Sequence, residues 1–185
     1  MRPLSILISA LLFVTTLTAH AGPNGSAVLV DGEPSPNSYT GELPSALINW
    51  CEEICVPLVT LEMLDIKKSK VIGVLHTWGK NFGGAGSAIQ FDEFIIYEVT
   101  GGEFYTVSGD NAPPTAAPIP TDLLTPKVGT QVWMGGTEGE VLPGTGKYKK
   151  AGGAYSTRLK LEFNDFNEIV YYDELLFRFR EVKVE

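Results

Sequence analysis

Leu142 to Phe163 reads LPGTGKYKKAGGAYSTRLKLEF, and its second half has the clearest periodicity in the chain. Tyr155, Thr157, Leu159, Leu161 and Phe163 alternate with Ser156, Arg158, Lys160 and Glu162. A period of two is the mark of a strand with one face in a core and the other in water. The first half, with two glycines around a threonine, a short basic aromatic run and two more glycines, has the composition of a phosphate cradle but not its context. Such a cradle needs its glycines between a strand and a helix, ideally ending in G-K-[ST]. Here Lys147 is followed by Tyr148, and the chain after Gly153 alternates as a strand. Gly144, Gly146 and Gly153 are therefore assigned to turn geometry, and Lys147, Lys149 and Lys150 to a solvated turn.

On either side, glycine and proline punctuate a series of similar runs. Pro57 to Ile66 and Lys70 to Trp78 predict a hairpin, and Phe91 to Thr100 with Glu103 to Ser108 predict another across Gly101-Gly102. Val128 to Met134 and Glu138 to Leu142 read as two runs separated at Gly135-Gly136, and Glu174 to Val184 as a final strand. GDNAPPTAAPIPTD, from Gly109 to Asp122, is proline-rich and is expected to be one long exposed loop. Only Ser45 to Cys51 and Phe166 to Val170 suit short helical or irregular pieces. About eight strands with almost no helix predict an all-β antiparallel closed barrel, with a two-sheet β-sandwich as the alternative. Closure favours the barrel because it removes the sticky edges that Phe94 to Tyr97 and Leu176-Phe177 would present.

The beginning of the chain reads differently. Arg2, the apolar run Leu4 to Leu17 and the small-residue site Ala19-His20-Ala21 form a secretory signal pattern, so residues 1–21 are expected to be cleaved. Residues 22–45 read as an extended N-terminal arm with at most a short strand at Ala27 to Val30, and 46–185 as a single barrel domain. Without the signal the net charge moves from −8 to −9, which disfavours nucleic acid as a partner. No run is long and apolar enough for a membrane span. Export to a secreted or periplasmic location places Cys51 and Cys55, the only cysteines, in oxidising surroundings, where a small local disulfide is expected. With His76 as the one histidine after the signal, no zinc set can be assembled, and no motif calls for a metal or another cofactor.

Gly144, Thr145, Gly146, Lys147, Tyr148, Ala151 and Gly153 match in order the G-T-G-[RK]-[FY]-x-x-A-x-G signature of a known group. The stretch resembles the segment before a late strand in dirigent proteins, allene oxide cyclases and bacterial barrels similar to them. The resemblance implies an eight-stranded antiparallel barrel with an apolar interior, often trimeric in the plant members, which hosts a hydrophobic guest. It assigns no catalytic residue here, because the glycine signature is structural in those families.

Candidate ligand-binding residues come from strand parity. Ile72, Val74, His76 and Trp78 on one strand, Ile95, Tyr97 and Val99 on a second, and Tyr155, Leu159 and Leu161 on a third are expected to face inward. His76, Trp78, Tyr97 and Tyr155 are the candidate wall of a cavity, His76 as a proton acceptor and the tyrosines as hydrogen-bond donors. The acidic pairs Asp92-Glu93 and Asp173-Glu174 read as solvated strand ends, since adjacent strand residues point to opposite faces and neither pair forms a dyad. Two functions follow. One is a barrel that binds a small hydrophobic molecule or a partner, as a monomer or homo-oligomer, without chemistry. The other is a cyclase- or dirigent-like protein that steers a reaction inside its cavity.

Overall fold

The computed structural model describes residues 25–52, 54–66, 70–84, 88–108 and 115–180. The expected signal segment lies outside them. Among the described residues ten strands run in the order β1 (Gly25–Gly32), β2 (Ser35–Pro36), β3 (Val56–Asp65), β4 (Lys70–Gly83), β5 (Ile89–Val99), β6 (Gly102–Ser108), β7 (Thr115–Ile119), β8 (Gln131–Leu142), β9 (Gly153–Phe163) and β10 (Ile169–Arg180). A short helix, α1 (Ser45–Cys51), separates β2 from β3.

Eight of the strands close an antiparallel barrel in the spatial order β1-β10-β9-β8-β6-β5-β4-β3, and β1 returns to β3 through Val28↔Asp65 and Leu29↔Leu64. The barrel, rather than the sandwich, is the architecture. Strand β1 is longer than Ala27 to Val30 and is a full member of the wall, hydrogen-bonded to β10 along its length. β2 lies on β3 outside the closed ring, and β7 fills the space beyond the end of β6 by pairing both β5 and β8.

Three further expectations about strand boundaries need correction. β10 begins at Ile169, so Ile169 and Val170 of the expected irregular piece Phe166 to Val170 are strand, five residues ahead of the expected start at Glu174. Residues 109–114 of the proline-rich segment lie outside the described residues, but Thr115–Ile119 is strand rather than loop. Pro118 is tolerated because β7 meets β5 only at Thr115 and Ala116, so the proline needs no donor on that side. Gly135-Gly136 does not divide two runs either, since β8 passes straight through it. A Cβ on Gly135 would sit 1.7 Å from the Thr115 carbonyl oxygen, and one on Gly136 2.4 Å from that of Thr157. The glycines let two neighbouring strands close in on β8 instead of breaking it.

The opening motif docks on the β5–β6 turn. Thr145 N–H donates to the Glu103 carbonyl (2.8 Å), the Thr145 hydroxyl accepts from Glu103 N–H (3.0 Å), and Lys147 N–H donates to the Gly101 carbonyl (3.0 Å). A Cβ on Gly144 would meet the Glu103 oxygen at 1.8 Å, and Gly146 has a φ of +56°. A single 3-10 turn over Gly146–Tyr148 then brings Tyr148 against Phe104, capping this end of the barrel.

The described residues form two apolar cores. The larger lies inside the barrel and is built from Val28, Leu61, Leu75, Tyr97, Phe104, Leu161 and Phe177, among others. The smaller lies outside the wall, where Leu47 of α1 packs on Trp78, Phe94, Ile96 and Tyr105. Cys51 and Cys55 are joined in a disulfide, Cα to Cα 5.1 Å, that ties the end of α1 to the start of β3. No helix among the described residues is long and apolar enough to cross a membrane.

Candidate binding site inside the barrel

Strand parity places Glu93, Ile95 and Tyr97 of β5 on the inner face, opposite Thr106 of β6 and near Tyr155 of β9 and Tyr172 of β10. At the capped end the interior is solid. Tyr97 stacks on Phe104 with centroids 4.5 Å apart and meets Phe177 and Phe179 edge-on at 5.7 and 5.4 Å. These contacts leave Tyr97 fully buried, with its hydroxyl accepting from Thr106 Oγ1 at 3.3 Å.

Away from that aromatic plug the inward-facing side chains become polar. Thr77, Thr106, Thr137 and Thr157 are all buried. The Tyr155 hydroxyl is buried and has no well-oriented hydrogen bond among the described residues. Glu93 sits deep among protein atoms, yet it keeps part of its surface accessible. Burial pushes its carboxyl up to about 8, because a charge there would lose its hydration without gaining a cation. Tyr97, Tyr155 and Tyr172 are pushed well above the ordinary phenol value, by burial first and by the Glu93 carboxyl in addition. At neutral pH the group is therefore uncharged: a carboxylic acid and three phenols, all able to donate.

Of the four candidate wall residues, the structure brings Tyr97 and Tyr155 together and excludes the other two. His76 and Trp78 lie on the outer face. The cause is a β-bulge at Ile72: Val71 pairs Leu64 and Gly73 pairs Met63, leaving Ile72 as the extra residue. Ile72 itself packs against the barrel core, but beyond the bulge the parity is reversed, so Gly73 and Leu75 point inward and Val74, His76 and Trp78 outward.

On that outer face His76 is held at both ring nitrogens. Thr60 Oγ1 lies 2.8 Å from Nδ1, and Glu98 Oε2 lies 2.8 Å from Nε2. The same threonine hydroxyl accepts from Ser38 N–H at 2.9 Å, and the Tyr39 ring meets His76 and Trp78 edge-on. Tyr39 and Tyr105 both donate to the Glu103 carboxylate, at 3.2 and 3.1 Å. His76 thus pins the segment after β2 against the wall, and the expected proton acceptor of a cavity is a clamp outside it.

The carboxylates also depart from expectation. Glu93 and Asp173 are not solvated strand ends: the first is inside the barrel, and the second is buried in ion pairs with Lys127 and Lys160. Asp173 falls at the register shift between Tyr172 and Glu174, which turns it toward those lysines. Glu93, Thr106 and Tyr172 were missed as site residues, although stepping back two positions from Ile95 along its face leads directly to Glu93. Among the described residues, no cluster of three or more histidine, cysteine, aspartate or glutamate side chains could hold a metal ion. No protein-family model, curated protein or solved structure matches the chain.

Proposed function

We propose that the protein binds one small, largely apolar guest carrying a hydrogen-bond acceptor, in the barrel interior beside Glu93, Tyr155 and Tyr172. The observation that carries this is a carboxyl held deep in the barrel with a raised pKa and, among the described residues, no cation beside it, next to a buried phenol that lacks a well-oriented partner among them. Buried polar groups normally find partners within the protein, and those left over are candidates for a ligand. A carbonyl, ether or epoxide oxygen suits such donors, and the surrounding leucines, valines and aromatics suit the rest of the guest. The resemblance of Gly144 to Gly153 to the dirigent and allene oxide cyclase signature supports a hydrophobic guest. The signal pattern and the Cys51–Cys55 bond support an exported protein.

A second reading, steering of a cyclisation or isomerisation, is favoured by the protonation of Glu93. A carboxylic acid kept neutral near pH 7 can protonate or polarise an acceptor that it hydrogen-bonds. Native mass spectrometry of protein isolated from its own compartment tests the binding proposal. Retention of an apolar molecule by the wild type, and its loss in Glu93→Gln and Tyr155→Phe variants of unchanged fold, is the expected result. A wild type that carries no guest and binds none from an apolar extract would overturn it.

A further inference from the structure

The arginines are distributed unevenly. After Arg2 the chain has three, Arg158, Arg178 and Arg180, and all three line one depression of 560 Å³ on the outer face of β8, β9 and β10. In a protein of net charge −8, such a concentration of the fork-shaped cation stands out against the ten lysines spread elsewhere. Register places Arg158 opposite Leu176 and Arg178 opposite Ser156, so the two arginines are diagonal neighbours about 7–8 Å apart. Arg180 follows on the same side of β10, about 7 Å further along. Among the described residues none of the three forms an ion pair.

The floor of the depression is low, being made by Gly136, Ser156 and the buried Leu176. Its far wall bears Glu138, which faces Arg178 across Ser156 at about two strand spacings, roughly 9.5 Å. One wall can therefore grip an oxyanion by paired N–H donors, and the other can accept hydrogen bonds from hydroxyls. A bare polyanion would meet repulsion at Glu138, whereas a ligand with an anionic group on one side and hydroxyls on the other satisfies both walls.

We propose that this groove is a binding site for an acidic sugar, a hydroxylated ring bearing carboxylate, sulfate or phosphate, either free or as a unit of a polysaccharide. The site is on the opposite face of the wall from the barrel interior, so it does not depend on any guest there. Titration calorimetry with a sulfated disaccharide, its neutral counterpart, a longer sulfated fragment and inorganic sulfate tests it. The sulfated disaccharide or the fragment should bind, more weakly as salt rises, and the neutral sugar should not. Binding of the disaccharide identifies a free sugar as sufficient, and binding of the fragment alone identifies the polymer as the source.

Arg158→Gln combined with Arg178→Gln should lower that affinity at least tenfold with no loss of thermal stability, since both side chains lie on the outer face. Arg178→Lys should recover only part of it, because a lysine keeps the charge and loses the fork. Glu138→Gln should weaken the sugar while leaving inorganic sulfate unchanged or tighter. Absence of salt-dependent binding by both sulfated sugars would overturn the proposal. So would sulfate binding as tightly as the sugar with no effect of Glu138→Gln, which would mark a site for bare anions.

Discussion

Glu93 is the residue whose chemistry differs most from its appearance in the sequence. Its carboxyl is raised to about 8 by burial, so the folded protein holds a proton there that the unfolded chain releases near the ordinary value of 4.5. Between those two values the unfolded state binds fewer protons, and stability must fall as pH rises. Glu93→Gln removes the ionisation and is expected to be more stable than wild type at pH 8 to 9, on the order of a few kcal/mol, and about equal at pH 4. Chemical denaturation of both proteins across that range is the measurement, and parallel pH profiles would refute the assignment. Legibility at this scale was uneven. Tyr97 and Tyr155 could be placed inside from alternation alone, whereas His76 and Trp78 could not, because one inserted residue at Ile72 reverses everything after it.

At the scale of elements, the turn at Gly144 to Gly146 and the helix α1 make opposite kinds of contribution. Gly144→Val would drive a side chain into the Glu103 carbonyl, and Gly146→Val would add a β-branched residue at φ +56°. Each is expected to destabilise by about 2–4 kcal/mol or to abolish folding, with refolded yield and thermal midpoint as the readout. A variant that folded normally but lost its guest would show instead that the turn belongs to the site. Helix α1 is held from the other side of the wall: Leu47 is fully buried on Trp78, Phe94 and Ile96. Leu47→Ala should cost about 2–5 kcal/mol by equilibrium denaturation. Replacing both Cys51 and Cys55 with serine should cost less, toward the low end of about 2–4 kcal/mol, because the loop that they close is short.

Across the whole molecule, two carboxyls give the stability profile opposite slopes. Glu162 is pushed up by burial, but the N–H groups of Lys127, Val128 and Gly129 at 2.7, 2.6 and 2.9 Å outweigh that and hold it below its ordinary value. Its contribution is present above the unfolded value and is lost as pH falls below it, the reverse of Glu93. Maximum stability is therefore expected in weakly acid solution, with Glu162→Gln flattening the acid limb and Glu93→Gln the neutral one in thermal melts at stepped pH. The amino-acid sequence alone specifies the class of fold, since alternation of period two, glycine-bearing turns and scarce helix leave few alternatives to a closed antiparallel sheet. It also determined the pairing of Cys51 with Cys55, which needs only proximity along the chain. Packing between strands set which face of each strand became interior, and so moved His76 out and brought Glu93 in. Alternation is a local rule, but the face that it presents to the core is set by bulges and by the register of neighbouring strands, which no single strand encodes.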